Sequence, residues 1–213
     1  MPAVFARWLS RLSLVGLGMA MLIALRGHFN ADELLSPVQS TISAYAAMDP
    51  FGPVEIAIYL SALACLTLLI AMIAARIPVG RTLTLALATG GLGFLVAAAI
   101  PTVEVGTPMT TEGLIHRYAS ITGCAALLVA SLLLVRLASR QGWHEIRVPL
   151  LITTWISSLS GLAVVYAMFF GDRVFIGLYE RFLCAALLAT LIVISAHISR
   201  LTIRAARDVA LAM

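Results

Sequence analysis

Six long apolar runs follow one another with little between them, and this is the feature that most constrains the fold. They extend roughly over Leu9–Leu25, Val54–Ala75, Thr82–Ile100, Leu114–Leu137, Val148–Phe170 and Phe175–Ile198. A bilayer core about 30 Å thick needs about 20 apolar residues per crossing helix. Each run is of that order, and in lipid a helix satisfies its own backbone where an isolated strand does not. Of the 213 residues, 62% are hydrophobic and 11% charged. Soluble domains have about a quarter charged residues and under half apolar ones, so a water-soluble core is excluded. Disorder, collagen and coiled coil are excluded too, since each needs a polar or repetitive composition. The expectation is an all-α bundle of six transmembrane helices forming one integral membrane domain over residues 1–213.

Arg7 and Arg11 before an apolar stretch resemble the front half of a secretory signal. Arg26-Gly27-His28-Phe29-Asn30 follows with no small-x-small cleavage site, so an uncleaved first helix is expected. All 14 basic residues are arginine. With six spans, Arg26, Arg117, Arg173 and Arg181 fall on the side of the odd-to-even connections. The other ten fall on the side that holds both termini. Such a bias places both termini in the cytoplasm, and the inner (plasma) membrane is the expected location. The basic pI thus reflects anionic lipid head groups as partners and not nucleic acid. Arg200, Arg204 and Arg207 recur at helical spacing and fit a continuing helix on that side.

The longest connection lies on the opposite side, from Arg26 to Pro53. Ser36-Pro37 reads there as an N-cap with proline at the first helical position. Val38, Ile42 and Tyr45 follow at helical spacing, ending near Asp49-Pro50-Phe51-Gly52-Pro53. A short interfacial helix is expected, either roofing a site between the spans or acting as a spacer.

Small residues recur four apart, as in Gly16/Ala20, Ala86/Gly90, Gly93/Ala97, Ser120/Cys124 and Ser157/Gly161. Close approach of helices through small side chains is the main packing device in lipid. The same faces offer a surface for homo- or hetero-oligomers. Gly90-Gly91-x-Gly93 sits mid-span without a preceding strand, so it is not a nucleotide loop. Cys65, Cys124 and Cys184 lie inside apolar runs with no C-x-x-C pair, which points to helix-contact fillers and not to a disulfide or zinc site.

Charges at membrane depth are costly and therefore informative. The fourth span opens Glu112-Gly113-Leu114-Ile115-His116-Arg117-Tyr118, and the sixth opens Gly177-Leu178-Tyr179-Glu180-Arg181. Adjacent helical positions point about 100° apart, so Glu180 and Arg181 need separate partners. Candidates are Arg117 or His116 for Glu180, and Glu104, Glu112 or Asp49 for Arg181. One reading is an ion-pair network locking helix ends, with Tyr45, Tyr118 and Tyr179 as interfacial anchors. The other is an outward-facing polar pocket, with Arg117, Arg181, Tyr166, Tyr45, Glu104 and Asp49 as candidate ligand-binding residues.

The run Ile100-Pro101-Thr102, with Thr111-x-Gly113-Leu114-Ile115-His116-Arg117 after it, resembles the central signature of a bacterial and archaeal membrane family, domain of unknown function nine-nine-eight. Ile42-Ser43-x-Tyr45 and Gly177-Leu178-Tyr179-Glu180-Arg181 are similar to its other recurrent patches. An Asp often follows the Pro-Thr in that family, whereas Val103-Glu104 stands here. The resemblance implies a compact multi-helix membrane fold and brings no activity with it.

Three functional classes stay open. A binding protein, transporter or accessory subunit would take a lipid or small ligand at the polar cluster, although no broken-helix pair or inverted repeat supports a transporter. A hydrolase or transferase would use His116 as base, Glu180 as its orienting carboxylate, and Ser43 or water as nucleophile. A haem-bearing electron carrier would need paired histidines from His28, His116, His144 and His197. No metal-ligand spacing or cofactor motif is visible, and neither a metal nor a cofactor is expected.

Overall fold

The computed structural model describes residues 2–29, 35–103 and 106–211, giving the backbone alone for residues 2–3 and 204–211. Among them are seven helices and no strand: α1 (Pro2–Phe29), α2 (Ile42–Met48), α3 (Pro53–Ala74), α4 (Gly80–Ala99), α5 (Thr111–Arg140), α6 (His144–Phe169) and α7 (Ile176–Leu211). All but α2 are long and apolar enough to cross a membrane.

Most of these helices overrun the apolar runs that announce them. α5 has 30 residues against the 24 from Leu114 to Leu137, a length of about 45 Å at about 1.5 Å per residue. That matches a bilayer with its head-group layers, whereas hydropathy registers only the hydrocarbon part. α7 continues as one helix through the Arg200–Arg207 stretch to Leu211, as the arginine spacing suggests.

Local chemistry sets the ends. Proline opens α3 at its first position, and the Thr110 hydroxyl caps α5 by accepting from Gly113 N at 3.1 Å. α3 stops where Arg76 turns left-handed (φ 57°), with Ile77 N donating back to Met72 O at 3.0 Å. α5 stops in the same way at Gly142 (φ 66°).

The six long helices pack in sequence order and close into a ring, with α1 seated between α3 and α7. Leu17, Leu68, Met72, Leu87, Leu134, Leu187 and Ile194 fill the centre. Phe5, Trp8, Leu22, Trp155, Leu162 and Phe169 point outward, the arrangement expected of a surface solvated by lipid. Small residues make the closest contacts. A Cβ on Gly93 would lie 2.8 Å from Ala119 O and 2.9 Å from Gly123 Cα, so α4 and α5 touch almost backbone to backbone. Polar side chains add ties: Ser13 Oγ donates to Ala64 O at 2.8 Å and lies 3.0 Å from Ser195 Oγ, joining α1, α3 and α7. The three cysteines are free, and Cys65 Sγ donates to Leu87 O at 3.5 Å.

The short helix is present but starts later than the sequence suggests. Ser36-Pro37 opens a turn, with Ser40 N donating to Ser36 O at 2.7 Å, and α2 begins at Ile42 under a Thr41 cap. Segment 35–52, containing α2, covers one end of the bundle, called here the cap face.

Candidate functional site

A continuous helix from Pro37 through Met48 would need the Ile42 N–H on the Val38 carbonyl and the Ala44 N–H on the Ser40 carbonyl. α7 takes three of these four groups instead. Leu178 N donates to Val38 O at 3.1 Å, and Ile42 N donates to Glu180 Oε2 at 2.9 Å. Arg181 Nη1 donates to Ser40 O at 2.8 Å, while Ala44 N turns to Thr41 Oγ1 at 3.2 Å. The adjacent opposite charges therefore cap two sides of one break. The acid holds a freed N–H and the base a freed C=O. This is why the helix begins at Ile42 and not at Pro37.

The partners are thus backbone groups, not Arg117 or His116 for Glu180, nor Glu112 or Asp49 for Arg181. Glu104 lies outside the described residues. Arg181 also donates from Nη1 to Gly177 O at 2.9 Å and stands 4.8 Å over the Tyr45 ring. Tyr45 in turn donates its hydroxyl to Leu35 O at 3.0 Å. His28, from the last turn of α1, packs tilted against the same ring with centroids 4.7 Å apart and uses Nδ1 on Ala24 O. His28 had no place in the sequence-based cluster. Its only signal is a histidine closing a span on the side where the other charges gather.

His116 belongs to the second turn of α5 and is 3% exposed. Nδ1 is 3.0 Å from Ile100 O and Nε2 is 3.0 Å from Ser43 Oγ. Ile100 supplies this carbonyl because its extended backbone (φ −113°, ψ 121°) leaves α4 just before Pro101. The group orienting the ring is therefore a backbone carbonyl, and Glu180 does not fill the role proposed for it beside His116. Both ring nitrogens are engaged, which leaves none for axial ligation of a haem iron.

His116, Ser43, Glu180, Arg181 and Tyr45 thus converge on residues 40–45. Arg117 and Tyr166 do not: both are exposed on the outer faces of their helices, and Tyr166 stacks on Phe170 at 6.0 Å. Asp49 is exposed and caps the C-terminus of α2. Beside Tyr118 a groove of about 560 Å³ runs between α4 and α5, with Thr89, Thr111 and Thr122 among mostly apolar lining residues. No group of three or more metal-ligating side chains forms among the described residues.

A family described as "Protein of unknown function (DUF998)" matches residues 14–197. The chain belongs to this family. The matched DUF998 stretch takes in α2 to α6, most of α1 and α7, and therefore the whole cap with Ser43, His116, Glu180 and Arg181. No curated protein and no solved structure matches the chain. The six long apolar helices make the chain a multi-pass membrane protein, and the description of the DUF998 family assigns no activity.

Proposed function

We propose that this protein binds an anionic group, a phosphate or carboxylate, beneath its cap, with Arg181 as the receiving side chain. One observation carries the reading. Arg181 uses Nη1 for the carbonyls of Ser40 and Gly177, but its buried Nε and Nη2 have no hydrogen-bond partner among the described residues. These two nitrogens form the side-on edge of a guanidinium, whose parallel donors match a carboxylate or phosphate bidentately. A buried donor left unpaired costs about 1–3 kcal/mol, and more when charged, so the edge is a standing demand for an acceptor. The atoms are enclosed, so the ligand enters as segment 35–41 lifts. The arginine bias directs the cap face outward and both termini to the cytoplasm. A C-terminal fluorescent fusion that lights up, with an inactive C-terminal alkaline phosphatase fusion, checks that orientation.

The test uses Arg181→Lys, which keeps a cation for the Ser40 carbonyl but has no side-on edge. Purified wild type is expected to retain phosphatidylglycerol in native mass spectrometry, or to gain thermal stability from inorganic phosphate. The first outcome identifies a head group as the source, the second a free anion. Arg181→Lys loses either effect while Arg117→Gln keeps it. A wild type with neither effect, or an Arg181→Lys variant that retains it, overturns the proposal.

A further inference from the structure

We propose that Ser43 is a nucleophile for acyl esters, activated by His116. The inference stands on a different observation from the Arg181 edge and does not depend on it. The Ile100 carbonyl can only accept a hydrogen bond, so Nδ1 of His116 carries the proton that meets it at 3.0 Å. In the neutral ring Nε2 is then the bare lone pair, and Ser43 Oγ at 3.0 Å must donate to it. Proton donor, base and orienting group are therefore arranged in the order that activates a serine.

The exposures fit that use. The base is buried, whereas Ser43 on α2 is half-exposed. The position of Ser43 is set from α7, because Glu180 holds the N–H of the preceding residue, Ile42. Glu180 is thus a positioning residue for the serine, reached through the backbone and not through the imidazole. His116 is five residues past the start of α5, about 7 Å along the helix axis. That depth lies near the membrane interface, where the acyl esters of lipids sit. A lipid acyl ester is accordingly the substrate class.

The chemistry balances without a further reagent. Ser43 Oγ bonds to the ester carbonyl carbon as its proton passes to Nε2. The tetrahedral adduct collapses, its bond to the alcohol oxygen breaks, and Nε2 returns the proton to the leaving alkoxide. Water then attacks the acyl-serine, with His116 taking and returning its proton, and releases the carboxylic acid.

The experiment is labelling of the full-length protein in nanodiscs with a fluorophosphonate probe, mapped by mass spectrometry. The adduct is expected on Ser43 and absent from Ser36 and Ser40, which are similarly half-exposed on the same segment but have no histidine against the hydroxyl. His116→Gln should slow the labelling about 100-fold or more. An acyl ester of p-nitrophenol should give a burst that a Ser43→Ala variant, verified as folded by its helical circular dichroism and cooperative melting, lacks. Folded wild type without a Ser43 adduct overturns the proposal, whatever the variants do. Labelling of Ser36 and Ser40 at the rate of Ser43, or an undiminished rate in a folded His116→Gln, overturns it as well.

Discussion

Replacing Gly177 by alanine tests whether the cap is docked by backbone contact with α7. The new methyl would collide with the Ser40 carbonyl and lie 2.9 Å from Pro37 O, both of them main-chain atoms that cannot rotate away. Gly177 is the second residue of α7, where an unobstructed glycine-to-alanine change stabilises by less than the roughly 1 kcal/mol of a helix interior, so the sign of the effect is diagnostic. Overpacking costs about 1–3 kcal/mol. Lifting the segment further weakens the Leu178–Val38, Glu180–Ile42 and Arg181–Ser40 bonds, each worth about 1 kcal/mol or more. Set against the helix gain, a net loss of about 2 kcal/mol is expected, confined to cap opening. Hydrogen exchange reads this directly. The amides of Ile42 and Leu178 should exchange about 30-fold faster, since about 1.4 kcal/mol is a factor of ten, while α3 and α4 amides stay unchanged. Unchanged exchange at these two amides with a raised melting temperature would refute the account of the docking.

Other substitutions probe the bundle itself. Gly93→Ala places a methyl 2.8 Å from Ala119 O and should lower the melting temperature in detergent. Gly18→Ala meets nothing within 4 Å and should leave the melting temperature unchanged or raise it. Arg76→Gly relieves a left-handed non-glycine residue at the end of α3 (φ 57°), with an expected gain of about 1 kcal/mol in reversible unfolding. Ser13→Ala removes the bond to Ala64 O and the Ser195 contact. A loss of about 0.6–2 kcal/mol, by steric trapping or detergent titration, is the expected result.

The six spans were legible because apolar length alone decides them, and composition excluded every competing class. Gly90 and Gly93 were legible as contact residues, since small side chains four apart mark a close helix face. The interfacial helix was visible in Val38, Ile42 and Tyr45, yet its start was misplaced. Ser36-Pro37 is a sound local N-terminal signal, but the carbonyls that would carry the helix onward are taken by Leu178 and Arg181, more than a hundred residues away. Periodicity cannot register such competition. The depth of Glu180 and Arg181 was readable for the same reason that their partners were not. Side-chain charges are written in the sequence, whereas every residue but proline carries the N–H and C=O that these two hold. Ile100 as the group behind His116 was hidden in the same way, because any residue leaving α4 at that point offers a carbonyl.

This use of backbone partners bears on why charge is buried at the cap at all. An ion pair between two spans would tie helix to helix, and small-residue packing already does that at lower desolvation cost. A helix broken at Val38–Ile42 creates a different need, because its freed N–H and C=O groups are partly buried against α7 and must find partners there. Glu180 and Arg181 satisfy one of each, and in doing so hold α2 at a fixed height over the bundle. The consequence is local. Ser43, the residue after the one Glu180 holds, meets the imidazole of His116, and the side-on edge of Arg181 has no partner among the described residues. A continuous helix would need neither charge, and it would give Ile42 no reason to face α7. The break therefore organises the site, and removing the Glu180 acceptor by Glu180→Ala should slow the reaction of Ser43 with a fluorophosphonate even though the two side chains do not bond to each other. A Ser43 labelling rate untouched by that substitution would separate the serine from the clamp.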